Sequence, residues 1–184
     1  MKPTICGGLI ATVFAFTSSL AADGPGPAGW KKSAYGIYSH TESGVTCPPR
    51  IGVYTLGQVD GPANPNFLGT CHYSDAEDRR GLIHVRRYMR GVGDTPVAIG
   101  NDQMLMEGTQ NKDAPQGAKT AGTYRGGPGP NIGGEPTRIL VQTTVKNGLL
   151  VDCVEWQKNS TPSLVRIGVA PFSQHCSELL GPGK

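Results

Sequence analysis

Several things are missing from this chain of 184 residues, and each absence excludes something. Beyond its N-terminal stretch there is no apolar run approaching the ~20 residues that a bilayer-spanning helix needs. There is no C-x2-C pair, so the cysteines lack the spacing of a structural zinc site. Neither sign of charge dominates: 17 Lys plus Arg stand against 14 Asp plus Glu, a formal charge of +3. That is too near neutral for a nucleic-acid reader, which usually carries a strong basic stripe. No long stretch repeats its apolar residues with a 3.6-residue period, and 27 Gly and 15 Pro leave little room for helix interiors. A G-x-S-x-G nucleophile elbow is absent too. The run Gly126-Gly127-Pro128-Gly129-Pro130 is no phosphate cradle, because proline has no N–H to offer an anion.

What is present begins with MKPTICGGLIATVFAFTSSLAAD. One Lys, an apolar run from Ile5 to Phe16 and small residues at Ser19-Leu20-Ala21 or Leu20-Ala21-Ala22 read as a secretory signal peptide over 1–21. Cys6 falls inside it without the small residues that a lipid-attachment site wants before it. Cleavage would leave Cys47, Cys71, Cys153 and Cys176. An even number of cysteines in an oxidising compartment predicts two disulfides. Pairing each cysteine with its sequence neighbour, Cys47–Cys71 and Cys153–Cys176, closes one local loop in each half of the chain.

Short alternating runs bounded by turn residues predict a mostly β, antiparallel domain. The expected strands are SAYGIYSH (33–40), RIGVYTLG (50–57), FLGTCHYS (67–74), GLIHVRRYM (81–89), TRILVQTTVK (137–146), LLVDCVEWQ (149–157) and SLVRIGVAPF (163–172). QMLMEG (103–108) fits a strand or a helical turn. Asn147-Gly148 between two apolar runs is the strongest short hairpin signal, since both turn residues must take positive φ. The segment 108–136 is poor in apolar residues and rich in breakers, and is expected to be a long loop. Residues 22–32 are expected to be a flexible N-terminal segment, and 33–180 a single domain.

CHYSDAEDRRGLIHVRR from Cys71 and CVEWQKNSTPSLVRIGV from Cys153 share a frame. Each has an aromatic soon after the cysteine, then a polar loop, then Leu82 or Leu164 followed by β-branched residues. This suggests two similar disulfide-stapled halves, packed as a sandwich or a partly closed barrel. The second copy lacks the acids, arginines and histidines of the first, which argues against a shared chemistry.

Three constellations remain. If the first hairpin turns about Asp78, His72 and His84 face each other and two imidazoles could share a metal ion. Arg79, Arg80 and Arg86 belong to the only basic cluster and could present a face to an anionic glycan or lipid headgroup. Glu155 beside Trp156 has the acid-plus-aromatic character of a carbohydrate site, although a glycosidase needs a second carboxylate at a defined distance. Trp156 is a candidate contact in its own right. The sequence singles out no catalytic set and no cofactor. It points to an exported small β-domain, secreted or periplasmic, with a non-catalytic binding or structural role. Its partner would be a protein, a glycan or an envelope surface, not nucleic acid. An envelope-glycan hydrolase using Glu155 and a metal-binding accessory protein using His72 and His84 are the rival readings.

Overall fold

A computed structural model describes residues 24–93, 96, 99, 100, 102, 103, 106, 123–161 and 172–180. The proposed signal peptide and most of the SLVRIGVAPF segment lie outside the described residues. Strands β1 (Gly24–Pro25), β2 (Trp30–Lys32), β3 (Tyr38–His40) and β4 (Thr46–Cys47) form a small four-stranded sheet in that order. The larger sheet has seven strands: β5 (Arg50–Ile51), β6 (Tyr54–Asp60), β7 (Phe67–Ser74), β8 (Arg80–Arg86), β9 (Thr123–Ile132), β10 (Glu135–Lys146) and β11 (Leu149–Lys158). Its spatial order is β5-β6-β7-β8-β11-β10-β9, every pairing is antiparallel, and it curls into half a barrel. Helix α1 (Phe172–Leu180) packs on it.

The expected class is therefore present, and local chemistry explains most of it. Asn147 and Gly148 take φ of 50° and 74°, and Lys146 pairs with Leu149 across the turn they make. Both disulfides form as read from the sequence. Cys47–Cys71 ties β4 of the small sheet to β7 of the large one, and Cys153–Cys176 ties β11 to α1. In the large sheet Cys71 pairs with Ile83, and Ile83 with Cys153, so both bridges start from one row of side chains. The two stapled halves share a single sheet through the β8–β11 pairing.

The principal core lies between that face, the small sheet and α1. Tyr54, Phe172, Ile83, Val85 and Val151 are all fully buried there. Burial of each such side chain contributes ~1.5–3 kcal/mol. Each bridge closes a loop of moderate length (24 and 23 residues apart in sequence), for which chain entropy predicts about 3 kcal/mol. Replacing Cys47 and Cys71 together with serine should therefore lower the unfolding free energy by about 2–4 kcal/mol in a urea titration. A loss below about 1 kcal/mol would show that the sheets hold together without the bridge.

Three expectations change. Residues 24–32 are not a flexible lead-in: they contribute β1 and β2, and Trp30 is 4% exposed in the core, donating its indole N–H to the Asp60 carbonyl at 3.0 Å. The expected loop 108–136 contains a strand, β9, and the start of β10. Prolines fit there because β9 is the edge of the sheet, where a missing N–H breaks no ladder. Gly129 pairs with Thr137, and a Cβ on it would sit 2.4 Å from Thr137 Oγ1, so the close approach of the two strands there favours glycine. Finally, Phe172 opens a helix rather than ending a strand; of the two readings of 103–108, Gln103 and Met106 take the helical one.

Candidate functional site

Successive side chains of a strand point to opposite faces. Cys153, Ile83 and Cys71 face the principal core, so their neighbours face the concave side of the half-barrel. On β8 these are Leu82, His84 and Arg86; on β11, Asp152, Val154 and Trp156; on β10, Ile139, Val141 and Thr143. Leu82, Val141 and Val154 are buried and form a second apolar cluster, with Ile139 and Trp156 packed against them. Ile139, Val141, Val154 and Trp156 floor a cleft of about 450 Å³. Phe67, Met89 and Val92 also line it and are among the few large apolar side chains exposed among the described residues.

Arg86 stands at the polar end, with its side chain 13% exposed. Its Nε and Nη2 donate to Asp152 at 2.6 and 3.1 Å, and its Nη1 and Nη2 donate to Asp102 at 2.7 and 3.1 Å. Thr143 Oγ1 donates a further bond to Asp152 at 2.7 Å. Burial opposes the guanidinium charge, but the bonds to Asp152 and Asp102 outweigh it and hold the pKa above its already high ordinary value.

Next to this group, His84 shares a 2.9 Å hydrogen bond between Nδ1 and Thr70 Oγ1, and the Phe67 ring meets it edge-on with centroids 6.4 Å apart. Burial lowers its pKa, against the attraction of Asp152. At pH 7 the imidazole is neutral.

The residues singled out in the sequence are scattered. His72 and His84 are not opposed: the register pairs His72 with Leu82 and Thr70 with His84. The hairpin closes at Asp75 N–H to Arg79 O and turns about Glu77, one residue earlier than expected, with Asp78 at φ 59°. The histidines are diagonal neighbours, commonly ~7–8 Å apart, and each has its own partner, since His72 Nε2 meets Asp60 Oδ2 at 2.7 Å. Among the described residues no three His, Cys, Asp or Glu side chains stand together as a metal site.

Nor do the arginines share one face. Arg79 is buried and donates to Asp75. Arg80 is exposed and 3.7 Å from Asp78, while Arg86 lies in the cleft. Glu155 and Trp156 point to opposite sides of β11. Glu155 is 2% exposed on the core side, where the Tyr54 hydroxyl donates to it at 3.1 Å, and burial and this carboxylate together push the Tyr54 pKa up.

No family model, curated protein or solved structure matches this chain. Of the sequence candidates the cleft gathers only Arg86, Trp156 and His84. Alternation along β11 could have added Asp152 and Val154, which lie four and two residues before Trp156 on the same side of the strand. Asp102 carried no signal, because what marks it is a partner 16 residues away in sequence on another element.

Proposed function

We propose that this chain is an exported binding protein whose half-barrel takes a small, largely apolar ligand on its concave face. The observation that carries this reading is the cleft floored by Trp156, Ile139, Val141 and Val154. Its volume lies within the ~300–1,000 Å³ range of small-molecule pockets, and apolar walls with a few convergent polar groups are what such sites share. Export is supported by two disulfides, which persist in oxidising compartments, and by the N-terminal apolar run. No helix among the described residues is long and apolar enough to cross a membrane. The hydrolase reading loses support because Glu155 sits in the core, bonded to Tyr54, on the other face from Trp156. The metal reading loses support because His72 and His84 engage different partners.

Octanol is a suitable neutral probe. Trp30 and Trp156 are the only tryptophans, and Trp30 belongs to the other core. Octanol should change the tryptophan emission saturably, with a dissociation constant on the order of 1 mM or tighter for so small a ligand. Trp156→Phe should abolish the change. An unsaturable response, or one that survives in Trp156→Phe, would remove the cleft as the binding site.

A further inference from the structure

An arginine in a cleft invites the reading of an anion receptor, and the charges around Arg86 oppose it. Four N–H···O bonds from its guanidinium already end on carboxylates, two on Asp152 and two on Asp102. Both carboxylates are buried, at 6% and 2% exposure. Among the described side chains, one cation and two anions leave this end of the cleft with a net charge of −1. The neighbouring His84 adds nothing at neutral pH. Arg87, at the rim, is half exposed and paired at 2.9 Å with Glu42, where solvent and salt screen it. His72, further along the same face, is half exposed beside Asp60. Among the described side chains, then, the cleft offers spare carboxylate lone pairs and an aromatic wall at Trp156, which an ammonium group suits as well as a hydrocarbon does.

We infer that the cleft selects amphiphiles ending in a hydrogen-bond donor, an alkylammonium above all, and rejects alkyl carboxylates. The chain lies against Trp156, Ile139 and Val141, and the head group lies at the Asp152–Arg86–Asp102 cluster. This rests on the cleft being the binding site. A carboxylate head would bring a third anion against two buried ones, with most of the arginine's donors already engaged.

The test compares octylammonium, octanol and octanoate at pH 7 and low ionic strength, reading Trp156 emission in the full chain. The tail is constant, so the head group alone sets the order. Octylammonium should bind about tenfold or more tighter than octanoate, with octanol between them. The gap should shrink in added sodium chloride and in Asp102→Asn, which brings the cluster to neutrality. Should Asp102→Asn not fold, as judged by its circular dichroism, the wild-type order and its salt dependence still decide. If octanoate binds as tightly as octylammonium while octanol also binds, the charge inference is overturned and the cleft reading stands. If none of the three moves Trp156 emission, both fall.

Discussion

Arg86→Met should lower the unfolding free energy by about 3–5 kcal/mol, the cost of stripping a buried charge of its partner. The guanidinium is the shared counter-ion of Asp152 and Asp102, which are bonded to it at 2.6 and 2.7 Å. Methionine keeps much of the side chain's volume and supplies no donor, so two carboxylates would stay buried with Thr143, among the described side chains, left to bond Asp152. A urea titration at pH 7 measures the loss. A loss under about 1 kcal/mol at pH 7 would mean that the carboxylates find solvent without the arginine. Arg86→Lys should recover only part of the loss, since an ammonium cannot present the planar fork that reaches both acids.

Phe172→Ala should cost a similar amount, about 3–5 kcal/mol, for a different reason. Phe172 is fully buried at the start of α1. Its ring meets Tyr54 edge-on, with centroids 5.1 Å apart, and Tyr73 at a tilt, 5.3 Å apart. Beneath it lies Gly81, where a Cβ would come within 2.4 Å of the ring. The alanine would thus open a cavity among rigid aromatics rather than one that neighbours can fill. Cys153–Cys176 would still hold α1 against β11, so the loss would report packing rather than release of the helix. Near-ultraviolet circular dichroism during urea unfolding would follow it. A change of less than about 1 kcal/mol would show that Tyr54 and Tyr73 close over the gap.

The two variants probe opposite faces of one sheet, and that division organises the molecule. On one face, two disulfides, a helix and a small sheet cover the apolar row through Cys71, Ile83 and Cys153. The other face keeps a smaller apolar cluster beside a buried ion group and leaves a cleft above it. Glu155 and Trp156 show how much rides on this alternation. As sequence neighbours they suggested one carbohydrate site, whereas the pleat sends the acid to Tyr54 and the indole to the cleft. Likewise, a hairpin centred on Glu77 instead of Asp78 gives each histidine a different cross-strand neighbour and dissolves the proposed metal pair.

What the amino-acid order determined by itself was local. Alternation over a few residues marks β6, β7, β8, β10 and β11. Asn147-Gly148 forces a tight turn because both residues accept positive φ. Neighbouring cysteines meet because short loops close most readily. Tertiary structure alone decided what depends on distant partners. Glycine and proline in β9 signal a loop until an edge position makes them tolerable. Trp30 looks like part of a lead-in until Asp60, 30 residues on, accepts its N–H. Arg86 reads as a free cation until Asp102 and Asp152, 16 and 66 residues away, close around it. A side chain's periodicity is set by its neighbours in the chain, whereas its charge balance is set by whatever the fold brings against it.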